Sequence, residues 1–337
     1  MTAPMPDRNS LLTLLRRFPQ QRVIMLGDLV ADQSVYGEIM RVSREAPVLI
    51  LKEREKEILP GGGANAANNL AALGAEVTPV GVVGDDEPGQ ALLQYFRARQ
   101  ISTRHILRVR GHVTPTKTRI LGGLSHWQRQ QIVRIDREPA RPLAAEVRRA
   151  VTRAAAALLG AANGVLVADY GYSTTNAGEV DKLRRGLRRR KIPITIDSRY
   201  DLPSYKNLTA ATPNEPEVEA VFGQTIGHDL EKLHALGRKF LHRQRLQALL
   251  VTRGRDGMAL FEPRRPPRHL AIFGPDQAVD VTGAGDTVIA AFTLALAAGG
   301  SFLEAAVIAN CAGGLVVMKR GTATVALAEI TEAIGNA

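Results

Sequence analysis

Residues 280–292, DVTGAGDTVIAAF, place two glycines and an acidic residue where a strand-like run gives way to a long apolar helix. A Gly-Ala-Gly turn at a helix start directs backbone N–H groups toward one point, where the helix dipole adds positive potential. Gly283, Ala284 and Gly285 are therefore candidates for an anion hole that stabilises charge on a transferring phosphoryl group. Asp286 has two interpretations: a cap of the helix N-terminus, or a general base that accepts the proton of an attacking hydroxyl.

A second glycine-rich stretch, GGGANAANNLAALG, occupies residues 61–74. It fits a dinucleotide-binding GxGxxG/A pattern loosely, but the charged segment before it ends in proline and is a poor buried strand. A purely structural turn before a helix is a second interpretation. In a third, the glycines let a ligand approach the backbone and the asparagine amides bind sugar hydroxyls. The residues that would do so are Gly62, Gly63, Asn65 and Asn68.

Several classes of protein are excluded by missing patterns. The chain has no GxxxxGK[ST] loop, so it is not a P-loop NTPase. Its seven histidines show no metal-ligand spacing, which argues against a transition-metal centre. The net charge is +11, but aromatic residues make up only 4% and no zinc-finger or RNA-recognition pattern is present. We therefore interpret the basic run at 182–191 as a solvated helix face and predict no nucleic-acid partner.

The compartment is predicted from the cysteine and hydropathy patterns. The single cysteine, Cys311, lies in an apolar helical run, where we expect it to pack, and it suits a reducing cytoplasm. No charge-free apolar run reaches the roughly 18 residues that a membrane span needs, and the N-terminus is not a signal peptide. We expect a soluble, cytoplasmic protein without a membrane partner.

Short β-branched runs alternate with helical stretches along the chain, which is typical of a parallel sheet with crossover helices. Two segments, at about 34–58 and 113–136, interrupt this alternation and are typical of paired strands. We predict an α/β fold with a mostly parallel central sheet and a small β-sheet lid formed by these insertions. The predicted organisation is an N-terminal extension at 1–20 and one main domain at 21–335. We expect Trp127, within the second insertion, to pack or to form a dimer contact.

The two glycine motifs, in this order and at this separation, resemble the signatures of the ribokinase-like (PfkB) carbohydrate kinases. The resemblance extends from about residue 21 to residue 330. It implies a three-layer α/β/α kinase domain that uses ATP and Mg²⁺, with K⁺ as a further cofactor in many relatives. The lid formed by the two insertions suits a homodimer, which we expect to form through it.

A narrower resemblance is carried by GDLVADQSVYGEIMRVSREAPVLILK, TPTKTRIL, QQIVRID, TPNEPEVEAVFG and VTRGRDGMALF. These segments are similar to the D-glycero-D-manno-heptose-7-phosphate kinases. That similarity implies ATP-dependent phosphorylation of O1 of the heptose 7-phosphate, a step toward the ADP-heptose of lipopolysaccharide cores. Many such relatives also carry a nucleotidyltransferase domain with an HxGH motif. This sequence has no HxGH, so we expect a monofunctional kinase or the kinase half of a longer protein.

The resemblance assigns roles position by position. It makes Asp286 the catalytic base and Gly283, Ala284 and Gly285 the anion hole. The positions that match sugar-binding residues are Asp28, Asp32, Gly62, Gly63, Asn65 and Asn68. Those that match the nucleotide site are Asn214, Glu217, Thr252, Arg253, Gly254 and Asn310. Asn214 and Glu217 form an N-x-x-E motif in which Glu217 would hold Mg²⁺ through water, and Asp280 and Thr282 match a monovalent-cation site.

The phosphate group already present on such a substrate needs cations, because an unpaired dianion in a closed site is costly. Lys117, Arg119 and Arg134 in the second insertion are our candidates, and Lys52 and Arg44 are weaker ones. The alternative is that all of them are surface charges on exposed strands.

Departures from the family leave the sugar open. Where relatives carry lysines, this chain has GYSTT after Tyr170 and has Arg199 in IDSRY. The alternatives are a kinase for a hexose phosphate, a ketohexose or a nucleoside, and a non-catalytic sugar-phosphate-binding protein. Retention of Asp286, the glycine turn and N-x-x-E together argues against the last alternative.

Overall fold

The computed structural model describes residues 5–123, 130–187, 190–275 and 277–336, so Trp127 lies outside the described residues. The helices are α1 (Arg8–Leu15), α2 (Gly63–Ala72), α3 (Glu87–Ala98), α4 (Ala145–Leu158), α5 (Ala177–Gly186), α6 (Glu215–Phe222), α7 (Leu230–Gln244), α8 (Ala284–Ala297), α9 (Phe302–Val316) and α10 (Leu327–Asn336). The strands are β1 (Arg22–Gly27), β2 (Leu29–Val42), β3 (Leu49–Gly62), β4 (Glu76–Gly84), β5 (Ile106–Val109), β6 (Thr116–Gly123), β7 (Gln130–Arg137), β8 (Gly164–Asp169), β9 (Ile194–Ser198), β10 (Ala210–Ala211), β11 (Ala248–Thr252), β12 (Met258–Phe261) and β13 (Arg268–Leu270).

A nine-stranded sheet forms the centre of the molecule, in the order β13-β12-β11-β10-β9-β8-β1-β4-β5. The pairs from β11 to β5 are parallel, and β12 and β13 add an antiparallel edge. The predicted mostly parallel α/β sheet is confirmed. Because carboxyl ends of parallel strands meet at one edge, residues that follow β1, β8 and β9 come together there.

Helices cover both faces of this sheet, because successive side chains of its strands point to opposite sides and both sets are apolar. On one face Met25, Leu166 and Leu250 pack in a core with residues of α2, α8 and α9. On the other face Ile24 and Val167 pack in a core with residues of α4, α5 and α7. The result is the predicted three-layer α/β/α arrangement.

A second, four-stranded sheet, here called the lid sheet, has the order β3-β2-β6-β7. Its β2–β6 pair is parallel, whereas β2–β3 and β6–β7 are antiparallel. Its strands overlap the two predicted insertions, but β2 begins at Leu29 and β3 continues to Gly62. The lid sheet therefore starts at the end of β1 and returns directly into α2, beside the carboxyl edge of the main sheet.

The segment predicted as an N-terminal extension contains α1, whose Leu14 and Leu15 are buried in the main core. α1 packs against α10 at the other end of the chain. Cys311 in α9 is buried, consistent with a packing role. Among the described residues, no helix is both long enough and apolar enough to cross a membrane.

Candidate active site

Asp286 lies in the first turn of α8, and only 6% of it is exposed. One carboxylate oxygen, Oδ2, accepts a hydrogen bond from Nδ2 of Asn65 at 2.8 Å. The other, Oδ1, accepts a hydrogen bond from the hydroxyl of Tyr170. The N-cap of α8 is Gly283, and no side chain caps the helix. Asp286 is therefore not a helix cap, and its carboxylate faces side chains from other elements.

Position 283 requires glycine for two reasons: its backbone conformation and its closeness to the Asn65 side chain. Its φ is +75°, in the left-handed region that side chains disfavour, and a Cβ there would lie 2.5 Å from Nδ2 of Asn65. The backbone at Gly283 thus lets Asn65 reach Asp286. The amide of Ala284 donates to the carbonyl oxygen of Val281 at 3.2 Å. In this structure the amide of Ala284 thus closes the turn, and the anion hole formed by Gly283, Ala284 and Gly285 stays a prediction, with the amides of Gly283 and Gly285 as its first candidate donors.

Polar residues inside α2 connect it to α8. Nδ2 of Asn69 donates to Oδ1 of Asn65 at 3.1 Å, and the hydroxyl of Thr287 donates to Oδ1 of Asn69 at 2.9 Å. All three residues are buried. This series of hydrogen bonds orients the Asn65 amide so that its nitrogen faces Asp286. Asn69 and Thr287 were not predicted from the sequence, although polar residues within an apolar helix were a usable signal.

The predicted sugar-binding amide of Asn68 is also buried, and its Nδ2 donates to the Tyr95 hydroxyl at 3.2 Å. Gly62 has a φ of +51°, and a Cβ there would lie 2.9 Å from Val30 and 3.2 Å from the Tyr170 ring. At Gly63 a Cβ would lie 2.6 Å from the carbonyl oxygen of Asp28. The glycine motif therefore lets the loop after β8 and the end of β1 pack directly on the start of α2.

The surroundings of Asp286 raise its pKa toward neutral pH. Burial raises the pKa of Asp286 to about 6, against the hydrogen bonds from Tyr170 and Asn65, which lower it. Asp32 raises this pKa further and Lys117 lowers it. A carboxyl with this pKa is largely ionised at neutral pH and is a stronger base than an exposed aspartate.

Asp197 on β9 is a second acid of this site, half-buried by its exposed fraction, and it was not predicted from the sequence. Its Oδ2 lies 3.4 Å from the Tyr170 hydroxyl. Burial, with added repulsion from Glu217 and Asp286, raises its pKa to about 8. Burial also raises the pKa of Glu217. A divalent cation near Asp197 would relieve the repulsion that Glu217 and Asp286 exert on it.

The predicted N-x-x-E motif has a structural role in α6. Oδ1 of Asn214 accepts from the Glu217 amide at 2.8 Å, and Oε2 of Glu217 accepts from the Asn214 amide at 2.9 Å. The pair is thus a capping box that fixes the Glu217 carboxylate at the start of the helix. Glu217 and Arg199 line the same cavity, of about 650 Å³. No group of three potential metal-ligating side chains occurs in the described part of the chain, so a cation here would be held largely through water.

Asp28 anchors the loop after β8 in this structure, and its role as a sugar ligand stays a prediction. Its Oδ2 accepts from the amides of Tyr170 and Tyr172, at 2.8 and 3.0 Å, and its Oδ1 accepts from the amide of Thr174 at 3.0 Å. Asp28 is 1% exposed. Both carboxylate oxygens are therefore committed to the backbone of the loop after β8.

Asp32 lies on β2, opposite Lys117 in the parallel pair with β6. It forms a partly buried ion pair with Arg119, with 2.9 Å between Oδ1 and Nη1. A Cβ at Gly61 would lie 2.8 Å from the Asp32 carboxyl carbon, so glycine at 61 gives this carboxylate its space. Burial lowers the pKa of Lys117, and Asp32 counteracts this effect. Because Lys117 and Arg119 are two residues apart on one strand, they share a face of the lid sheet.

The other candidate cations are less favourably placed. Arg134 lies opposite Arg119 in the β6–β7 pair, but its guanidinium forms two hydrogen bonds with Asp136, at 2.8 and 2.6 Å. Lys52 and Arg44 are exposed, on β3 and between β2 and β3. The structure therefore brings Lys117 and Arg119 together beside Asp32, whereas Arg134 is exposed beside Arg119 and the two weaker candidates lie elsewhere at the surface.

A cavity of about 210 Å³ lies directly beside the start of α8 and includes Ala284 and Gly285 in its wall. Its remaining wall is mainly apolar, with Met258, Ile272 and Val288. Of the predicted nucleotide-site residues, Thr252, Gly254 and Asn310 line this cavity. A parallel bridge between Asn214 and Thr252 connects it to the N-x-x-E motif.

Two of the predicted nucleotide-site residues contact other protein groups in this structure, and their role at the nucleotide stays a prediction. The Arg253 side chain is 6% exposed and pairs with Glu215 at 3.2 Å, so it braces α6 and does not line the cavity. Asn310 lines the cavity, but its Nδ2 donates to the carbonyl oxygen of Ala271 at 2.7 Å. This bond fixes the cavity wall that ends at Ile272.

The predicted monovalent-cation residues form a turn. The two carboxylate oxygens of Asp280 accept from the amides of Thr282 and Gly321, both at 2.9 Å. These hydrogen bonds lower the pKa of Asp280 against the effect of burial. The carboxylate thus ties the glycine turn to the segment after α9, and K⁺ binding there stays a prediction.

The candidate site therefore holds a buried acid at a glycine-led helix start, beside an apolar cavity and facing a cation-bearing lid sheet. The model of the "pfkB family carbohydrate kinase" matches residues 20–329. The chain belongs to this family and is a carbohydrate kinase, which confirms the predicted class over the non-catalytic alternative.

Curated relatives carry the name bifunctional protein HldE. That of Pelobacter propionicus is 39% identical over 332 residues, covering 98% of this chain and 67% of the relative. That of Geobacter sulfurreducens is 36% identical, covering 98% and 66%. The chain spans about two thirds of the length of these relatives.

Solved structures share the fold at lower identity. Arabidopsis thaliana ribokinase complexed with ribose and ATP has a TM-score of 0.68 and 21% identity, covering 94% of this chain and 97% of that one. Phosphofructokinase-2 from Escherichia coli in complex with substrates and products has a TM-score of 0.73 and 16% identity, covering 94% and 98%. These likenesses confirm the predicted ribokinase-like fold.

Proposed function

We propose that the chain transfers the γ-phosphoryl group of ATP to O1 of D-glycero-D-manno-heptose 7-phosphate, giving the 1,7-bisphosphate. The carrying observation is the position of Asp286, buried between the cavity at the start of α8 and the cations of the lid sheet. Support for the heptose comes from the relatives named HldE, which match nearly the whole chain at 35–39% identity. In this proposal the product enters ADP-heptose and lipopolysaccharide core synthesis.

Each part of the site has one role in the proposed phosphoryl transfer. The adenine nucleotide lies in the apolar cavity, with its phosphates toward Gly283 and Gly285. Asp286, ionised above about pH 6, accepts the proton of the sugar hydroxyl as the sugar oxygen attacks the γ-phosphorus. The bond between the γ-phosphorus and the β–γ bridging oxygen breaks, and ADP leaves. The two glycine amides stabilise the negative charge that develops on the transferred group. Asn65 and Tyr170 each donate a hydrogen bond to this base.

Mg²⁺ fits the acidic side of the site. When bound, it neutralises charge on the β- and γ-phosphates. Glu217, held by its capping box, and Asp197 are the carboxylates that would hold it through water. Their raised pKa values come from burial and, for Asp197, from its acidic neighbours. A cation near them would therefore lower both pKa values.

The lid sheet supplies cations for the phosphate that the sugar already carries. Lys117 and Arg119 share the face on which Asp32 lies, and Arg134 is opposite Arg119. Since Arg119 is paired with Asp32 and Arg134 with Asp136, we propose Lys117 as the first phosphate ligand. The two arginines would join it by exchanging a carboxylate for the phosphate.

The test combines a substrate panel with one variant. ATP consumption is measured with D-glycero-D-manno-heptose 7-phosphate, fructose 6-phosphate, fructose, ribose and a nucleoside, and the heptose should give the highest kcat/KM. Asp286→Asn should lower kcat to background while sugar and nucleotide binding, measured by calorimetry, stay within a few-fold. Higher kcat/KM on another sugar would replace the heptose assignment. Substantial turnover by Asp286→Asn would refute the base assignment.

We also propose a homodimer formed through the lid sheet. This sheet and its β2–β3 turn expose a group of large apolar side chains, which a second copy would cover. They are Met40, Val42, Val48, Leu49, Ile132, Val133 and Ile135.

A further inference from the structure

Tyr170 follows β8 and reaches Asp286 across 116 residues of sequence. Three contacts fix it in place. Its amide donates to Oδ2 of Asp28 at 2.8 Å, its ring lies against the backbone of Gly62, and its hydroxyl donates to Oδ1 of Asp286. A side chain anchored at its backbone and its ring has little freedom to leave the carboxylate it contacts.

The two donors to Asp286 come from opposite parts of the fold. Asn65 reaches Oδ2 from α2, and Tyr170 reaches Oδ1 from the loop after β8. With one donor on each oxygen, the carboxylate cannot rotate about its Cβ–Cγ bond without losing both bonds. Both donors favour the ionised form over the neutral acid, because a carboxylate is the better acceptor.

The Tyr170 hydroxyl has a second acceptor within reach. Oδ2 of Asp197 lies 3.4 Å away, farther than a good hydrogen bond, and the ammonium of Lys117 lies 5.4 Å from the centre of the Tyr170 ring. The hydroxyl has one proton, so a bond to Asp286 leaves Asp197 without it. The charged or titratable groups that act on Asp286 from surrounding elements are Asp32, Lys117, Tyr170 and Asp197.

We propose that Tyr170 is the positioning residue of the base: its hydroxyl fixes Oδ1 of Asp286 and keeps the carboxylate ionised while the sugar hydroxyl approaches. This inference rests on the proposed role of Asp286. The loop after β8 then has the function of holding Tyr170 against the base. Asp28 stabilises this loop, because it accepts hydrogen bonds from the amides on both sides of Gly171.

The experiment is the pH dependence of kcat/KM, measured with the sugar that the enzyme phosphorylates best. In Tyr170→Phe the ring still packs on Gly62, but Oδ1 loses its donor, so the base binds its proton more tightly. The acidic limb should move upward by about one pH unit, a tenfold change in proton affinity. Activity should recover toward the parent value at higher pH, whereas a purely structural defect would lower the whole profile without moving the limb.

Tyr172→Phe is the matched control. Tyr172 lies on the same loop, but its hydroxyl donates to Glu138 at 3.0 Å. In this variant the acidic limb of the kcat/KM profile should therefore stay at the same pH as in the parent enzyme. Replacement of Tyr170 by 3-fluorotyrosine keeps the hydroxyl and makes it a stronger donor, which should move the limb to lower pH. This second variant retains every packing contact, so it tests the inference even if Tyr170→Phe folds poorly.

An unchanged acidic limb in Tyr170→Phe and in the fluorotyrosine protein would overturn the inference. That failure is distinct from failure of the proposed function. If Asp286 is not the base, Asp286→Asn stays active; if only the role of Tyr170 is wrong, Asp286→Asn is inactive and the Tyr170 variants titrate like the parent.

Discussion

Gly283→Ala tests whether the glycine turn acts through Asn65. A Cβ at position 283 would lie 2.5 Å from Nδ2 of Asn65, closer than side-chain carbons approach other atoms. The backbone φ of +75° adds a penalty of about 1–2 kcal/mol for any residue with a Cβ. The added methyl group must therefore displace the amide that donates to Asp286.

The magnitude follows from that displaced bond. Hydrogen bonds to charged groups contribute about 1.5–3 kcal/mol, and about 1.4 kcal/mol corresponds to a tenfold rate change. We therefore expect kcat/KM to fall about ten- to hundredfold. Thermal unfolding should show a loss of stability of about 1–2 kcal/mol from backbone strain.

Gly223→Ala is the matched control for the strain. Gly223 ends α6 with a φ of +62°, and no atom lies within 4 Å of a Cβ added there. This variant should lose similar stability and keep its activity. Coupled ATPase kinetics and thermal unfolding of both variants provide the comparison.

A double-mutant cycle identifies the route of the effect. If Gly283→Ala acts by displacing Asn65, its effect on kcat/KM should largely disappear in an Asn65→Ala background. Full activity of Gly283→Ala, or losses that add in the double variant, would refute the reasoning.

Two further predictions concern the lid sheet. Lys117→Met should raise KM for a sugar phosphate about ten- to hundredfold through loss of a charge-assisted bond, yet leave KM for an unphosphorylated sugar unchanged. Lys52→Met, at an exposed position, is the control. Equal effects of Lys117→Met on both sugars would contradict the phosphate role. Val133→Glu with Ile135→Glu should give a monomer in sedimentation analysis, because both side chains are exposed on β7 and charge opposes their burial in an interface. Leu230→Glu, exposed on α7, is the control, and a parent protein that already sediments as a monomer would contradict the dimer.

Local sequence was sufficient for the fold class and for naming the candidate residues of the site, whereas the choice between a helix cap and a general base for Asp286 rested on the family resemblance. The alternation of apolar strands and helices is a property of consecutive residues, so the parallel sheet could be predicted from it. The same holds for the two glycine motifs, because a turn that exposes amides and an acid three residues after a glycine are encoded within a few positions. Gly283, Gly285 and Asp286 needed no information about distant contacts.

Only the tertiary structure decided which way several polar side chains turn. Asn214 and Glu217 cap α6 through each other, Arg253 turns to Glu215, and Asp28 faces backbone amides. Spacing alone places these residues near the site, but their hydrogen-bond partners depend on neighbouring elements.

The largest gain from the tertiary structure is the environment of the base. Asn65 lies 221 residues from Asp286 in sequence and Tyr170 lies 116 residues away, and no local pattern links them. They meet because α2 and α8 pack on one face of the sheet while β8 ends beside β1 at its carboxyl edge. The sequence by itself determined which residue is the candidate base. Burial and two donors from distant segments, which only the folded chain provides, determined its pKa and its orientation.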